Sequence, residues 1–457
     1  MSARSKLAAF AVAALTIAFA AAGCTPDGEV PPDKASASAP PVRLHVAVYG
    51  PAKVVAAYRT IASDFHQANP RLTIELSAYA DEEAELAAVR KEATLGHEPD
   101  LFLTGIDALS GLQRDRLIRP VDGLLGARHV DFGDGYPRYS IEQFSADNAL
   151  QCMPTQYSPL VVYYNPDLVD LQRAQGNGAA ITASRGWKME QFTRAAENVV
   201  ADGHAGVYVD PTIAQVGPFV TSNGGAVVDN VAEPRTTTLG SNSAASAVTQ
   251  VLETTGLNKG VPTPHSSAQA LKMFESGKLG MMLGYRDLTG VLRADTTAKR
   301  LNFDVLPMPR LGARSTSGDL AGVCMSSSTF DPNGSADFLA YLVGDHAMSV
   351  LARSGYVMPT NLTVTSSNSF WQPRSRPASA SVFTAQVRYI AALPTTGIWP
   401  RVESLADRHL ASIFAQAKAV PDQSAIKRKL TVLDEDTAAV LTPDAGAGAS
   451  ATASPSE

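Results

Sequence analysis

The chain predicts an α/β protein with a mainly parallel sheet. Three observations lead there. Between residues 43 and 120, β-rich alternating runs take turns with apolar runs at helical spacing. Breakers fall between them, at Gly50-Pro51, Asn69-Pro70 and Gly96. The body, about residues 42–443, is long enough for two domains.

The elements follow in order. Residues 43–49 (RLHVAVY) alternate and read as a strand. Val54, Val55, Tyr58, Ile61, Ala62 and Phe65 recur at helical spacing. Leu72, Ile74 and Leu76 alternate with polar residues, giving a second strand. Residues 84–95 place Leu86, Val89 and Ala93 on one side of a helix that Gly96 stops. Residues 100–104 (DLFLT) form a third strand, and residues 106–116 a helix. Further on, Gly277 can take φ > 0 and end a helix before a strand at residues 279–283, and Gly224-Gly225 permits a tight turn.

Composition narrows the function classes. A hydrophobic content of 45% suits a globular core, and the net charge of −6 is spread without a basic stripe, which argues against nucleic acid. No apolar run after the first is long enough to cross a bilayer. The chain has no Walker A lysine motif, no G-x-S-x-G, no H-E-x-x-H and no zinc-like Cys/His spacing. No cofactor or metal is expected.

The ends are distinct. Arg4 and Lys6 precede an apolar run at residues 7–22, then Ala21-Ala22-Gly23-Cys24. This is a signal-peptide pattern. A cysteine after small residues resembles the lipobox of bacterial lipoproteins, although Ala21 stands where Leu is usual. The expectation is a signal peptide at 1–23, lipidation of Cys24, and attachment to the extracytoplasmic face of the cell membrane. A secreted protein with an incidental Cys24 and an uncleaved anchor are the alternatives. Residues 25–41 are rich in Pro, Ser and Ala and read as a tether; residues 444–457 read as a disordered tail. Cys152 and Cys324 remain, as a disulfide or as two buried thiols.

Several segments, in order, resemble the family 1 extracellular solute-binding proteins of ABC importers, which include maltose-binding protein. These are Phe65 with Ala68-Asn69-Pro70; Glu98-Pro99-Asp100-Leu101; Met153-Pro154 followed by Val162-Tyr163-Tyr164-Asn165-Pro166-Asp167-Leu168; and Gly186-Trp187 with Phe192. Asn223-Gly224-Gly225 with Asp229, Phe274-Glu275-Ser276-Gly277-Lys278 before Met281-Met282-Leu283-Gly284, Pro307-Met308-Pro309, and Ala336 to Leu342 continue the series.

The resemblance implies a periplasmic-binding-protein-like fold of type II, with two α/β lobes around a ligand cleft, joined by crossing hinge strands and closing by a hinge motion. It implies a first lobe of residues 42–152 plus 325–372 and a second of 153–324 plus 373–443. Crossings are expected near residues 150–154 and 322–326 and after Gln372. The first two would be neighbouring strands, so the resemblance implies a Cys152–Cys324 disulfide across the hinge. It also implies a monomer that delivers a saccharide to membrane permease subunits.

Sugars are met by polar side chains on their hydroxyls and by aromatic rings on their faces. On that ground, with the family's cleft positions, the candidate ligand-binding residues are Tyr49, Asp107, Tyr157, Ser158, Gln215, Tyr285, Arg286 and Trp399. Asp107 is equally readable as a helix N-terminal charge, and Trp399 as a residue packed on its own lobe. Arg286 would either pair with Asp287 or bind an anionic ligand. Three other readings stay open: an importer component for an anionic solute, an envelope interaction protein without a transported ligand, and a secreted glycoside hydrolase.

Overall fold

The computed structural model describes residues 41–258, 260–294, 301–416 and 421–442. The expected signal peptide, Cys24, all of the tether but its last residue, and the tail lie outside the described residues.

Among the described residues twelve strands form three sheets: β1 (Val42–Tyr49), β2 (Leu72–Tyr79), β3 (Leu101–Gly105), β4 (Ile118–Arg119), β5 (Ser145–Ala146), β6 (Ala149–Leu150), β7 (Cys152–Pro159), β8 (Val161–Tyr164), β9 (Ala205–Tyr208), β10 (Leu279–Gly284), β11 (Asp304–Leu306) and β12 (Gly318–Ser326). The first sheet runs β2-β1-β3-β12-β4, with β7 also paired to β12. The second runs β11-β8-β10-β9, and β5 and β6 form a small hairpin. The expected parallel order holds for β2, β1 and β3. It stops at β12, which runs antiparallel to β3, β4 and β7 because it brings the chain back from the second sheet.

The helix Ala52–Ala68 buries Val54, Val55, Tyr58, Ile61, Ala62 and Phe65, the set its spacing predicts, and Asn69 caps it. Phe65 meets Phe338 edge-on at 5.2 Å. Each such side chain removed from water contributes about 1.5–3 kcal/mol. Asp81 caps the next helix, Glu82–Ala93, by accepting from the Ala84 N–H. In the second core Trp187 packs edge-on to Phe192 at 5.2 Å, and its indole N–H donates to the Pro307 carbonyl at 2.9 Å. Gly277 has φ +68° and separates the helix Ser267–Glu275 from β10. The helices Trp399–Ala415 and Gln423–Leu441 bury Val402, Leu410, Leu430 and Leu433 in the same core.

The change of sheet comes at Leu160, between β7 and β8, rather than near residues 150–154; the return comes between β11 and β12 rather than near 322–326. The reason is the ladder between β7 and β12, which keeps both strands in the first sheet from Cys152↔Cys324 to Pro159↔Gly318. Cys152 and Cys324 form a disulfide across that ladder, with Cα atoms 4.3 Å apart. The bond sits at the end of the ladder far from the sheet change, so it clamps the first sheet rather than spanning the crossing.

Candidate functional site

A cavity of about 240 Å³ opens where β3 and β12 meet the helix Trp399–Ala415. Asp107, Tyr285 and Trp399 line it, together with Glu82, Tyr139, Gln143, Asp319 and Glu403. Each carboxyl arrives by a different local device. Asp107 sits in the short helical turn Ile106–Ala108 directly after β3. Glu82 opens the helix after β2, and its Oε1 accepts from the Gly105 N–H at 2.7 Å and the Thr104 hydroxyl at 3.1 Å. A Cβ on Gly105 would lie 2.8 Å from a Glu82 oxygen, so glycine is what lets that carboxyl close on the backbone. Asp319 lies at the start of β12, opposite Ser158. Glu403 is one helical turn after Trp399 and shares its face.

The electrostatics are one-sided. None of the described lining residues is Lys, Arg or His. Asp319 is open to the cavity yet surrounded by protein; burial, then the Asp287, Asp107 and Glu82 carboxyls, push it up to about 7. Burial, then Asp107 and Asp407, likewise raise Glu403 to about 7. Asp107 is raised by burial and by Glu82. Tyr285 and Ser317 share a hydrogen bond of 3.0 Å on the wall. Trp399 is 1% exposed.

The other sequence candidates fall elsewhere. Tyr49 ends β1, half-buried beside the Glu82 and Asp319 carboxyls but outside the lining. Tyr157 is buried in the first core, because β7 is covered on both faces. Ser158 turns its hydroxyl inward, where it accepts from the Arg286 N–H at 2.7 Å. Gln215 accepts from the Asp210 N–H at 2.8 Å, and its neighbour Ala214 reaches the cavity instead. Arg286 is fully buried, 4.5 Å from the Phe370 ring centroid and 5.4 Å from that of Phe383, with Nη2 donating to the Phe370 carbonyl. Its guanidinium packs where two aromatic rings exclude water, so it does not face the cavity, and the anionic-ligand reading loses the residue it rested on.

Sequence reasoning missed Glu82, Tyr139, Gln143, Asp319 and Glu403. The four-residue spacing of Trp399 and Glu403 was a usable signal. Glu82 looks like an ordinary acidic residue in a first helical turn.

Two sheets between which the chain passes at Leu160 and again before β12, with a polar cavity at the strand ends, define a ligand-binding architecture of the periplasmic type. The chain belongs to the bacterial extracellular solute-binding protein family, whose profile matches residues 60–378. Among curated proteins none matches by sequence. Solved structures share the fold. The cyclic α-maltosyl-1,6-maltose binding protein of Arthrobacter globiformis is 14% identical, with TM-score 0.71 over 88% of this chain and 100% of that one. An ABC substrate-binding protein of Listeria monocytogenes, solved with cycloalternan, is 15% identical, with TM-score 0.69 over 86% and 98%. The GacH receptor of Streptomyces glaucescens, solved unliganded and with acarbose, is 17% identical, with TM-score 0.68 over 86% and 98%.

Proposed function

We propose that the protein is the extracytoplasmic substrate-binding component of an ABC importer that captures a saccharide and hands it to membrane permease subunits. The observation that carries this is the cavity itself. Its carboxyls accept from hydroxyls, and the half-buried Tyr285 offers a flat apolar face, the pairing that sugars require. At about 240 Å³ it falls below the ~300–1,000 Å³ of drug-sized sites, which favours a mono- or disaccharide. The solved structures with carbohydrate ligands support the same class. In this reading the lobes are built on the two main sheets, with the expected boundaries at 152/153 and 324/325 moved to the sheet changes at Leu160 and before β12, and they close on the ligand as a monomer. Cys24 carries the lipid anchor, and no reaction is catalysed.

A thermal-shift screen of mono- and disaccharides, sugar phosphates, amino acids and peptides tests it. Ligand at about a hundred times its Kd adds roughly 2.7 kcal/mol to stability. A saccharide shift that disappears in Asp107→Ala supports the proposal; shifts confined to peptides or amino acids overturn it. The carboxyl cluster is the one observation that favours a glycoside hydrolase. Release of reducing sugar from the bound ligand would establish that reading, and recovery of intact ligand excludes it.

A further inference from the structure

We infer that the ligand is a cationic saccharide, a sugar carrying a protonated amino group. The inference rests on the saccharide reading above and adds the charge. Glu82, Asp107, Asp319 and Glu403 face one cavity, and no described lining residue is basic. None of the four takes part in an ion pair among the described residues, although carboxyls elsewhere in the chain do. A neutral sugar needs acceptors, and one or two carboxylates supply them. Four carboxyls around one cavity repel one another, and a neutral ligand does nothing to offset that. Burial first, and neighbouring carboxyls after it, displace Asp319 and Glu403 upward toward 7. No group of three or more carboxyl, His or Cys side chains among the described residues is placed to hold a metal ion. The compensating charge therefore belongs on an extended organic group.

Trp399 points independently to hydroxyls. It is 1% exposed, lines the cavity, and its indole N–H donates to no described residue. Indole is a donor only, so its partner must be an acceptor. A simple alkyl diamine satisfies the carboxyls but offers Trp399 nothing. A neutral sugar offers an acceptor and no charge. An amino sugar offers both, and its ammonium can also lie against the ring face of Tyr285.

Calorimetric titration of the purified protein near neutral pH tests this with glucosamine, N-acetylglucosamine, glucose and putrescine, and with the β-1,4 disaccharides of the three sugars. The amino sugars are expected to bind at least ~10-fold more tightly than their neutral counterparts, a gap of about 1.4 kcal/mol. Asp319→Asn and Glu403→Gln should each shrink that ratio. Trp399→Phe, which keeps the ring, should weaken every saccharide. Neutral sugars binding as tightly as amino sugars would overturn the inference and leave the saccharide reading standing. Putrescine binding more tightly than any sugar, or no binding by any of them, would overturn both.

Discussion

Asp319 and Glu403 set how the protein responds to pH. Their carboxyls titrate near 7 in the folded chain and near 4 when unfolded. A raised folded pKa means that folding favours the protonated form. The resulting stability is fully present below pH 4 and is lost as pH rises through 7. Asp319→Asn removes the penalty, so its melting temperature should exceed that of the parent by a few degrees at pH 8 and match it at pH 4, read by calorimetry. An equal gain at both pH values would show that Asp319 is not held up in this way. Arg286 tests the opposite case, a buried cation with rings but no carboxylate around it; burial holds it down to about 9. Its Nε and Nη1 have no hydrogen-bond partner among the described residues. Arg286→Met should be neutral or stabilising, since it removes an uncompensated charge at similar volume. Arg286→Ala should cost about 2–4 kcal/mol by leaving a cavity. Urea titration separates the two, and neither should alter saccharide affinity. The sequence could not distinguish Arg286 from Tyr285. They are adjacent, both are plausible ligand contacts, and only the rings of Phe370 and Phe383, far along the chain, decide that one turns inward. Asp107 was legible because it follows a recognisable strand end; Asp319 was not, because nothing local marks the start of β12 as a cavity wall.

At the scale of elements, the antiparallel ladder of β7 and β12 does two jobs. It holds the first sheet together, and at its Pro159–Gly318 end it delivers Asp319 to the cavity. The disulfide closes the opposite end. Cross-linking residues 172 apart restricts the unfolded chain by about 5 kcal/mol on the loop-entropy account. The Cys152→Ala/Cys324→Ala variant should therefore unfold at distinctly lower urea, while its ligand affinity stays near that of the parent because neither cysteine lines the cavity. A matching loss of affinity would show that the clamp extends to the cavity end of the ladder. The helix Trp399–Ala415 is the second such element. Trp399→Ala should cost about 3–5 kcal/mol because the ring is packed in the second core. Trp399→Phe keeps most of that packing, so a fall in saccharide affinity with little change in stability would isolate the indole N–H. Periodicity made these helices and strands readable, since burial follows the same spacing. The sheet-change positions were not readable, because β7 and β8 form one nearly continuous extended, buried run and only the pairing partner changes at Leu160.

For the whole molecule, the carboxyls come from both sides of the crossing. Asp107 follows β3 in the first sheet, whereas Glu403 rides on a helix packed in the second core. If the lobes close on ligand as proposed, charge repulsion across the cavity opposes closure and a ligand that neutralises it favours closure, so binding and hinge motion would share one driving force. That coupling predicts a measurable asymmetry. Ligand should reduce the radius of gyration in small-angle scattering. In ligand-free protein, lowering the pH from 8 to 5 should produce part of the same compaction, because protonation removes the repulsion that ligand would otherwise neutralise. The Asp319→Asn/Glu403→Gln variant should already be more compact at pH 8 and respond less to either change. If ligand compacts the protein while pH and the double variant leave its size unchanged, closure is driven by hydroxyl and ring contacts alone, and the carboxyls choose the ligand without working the hinge.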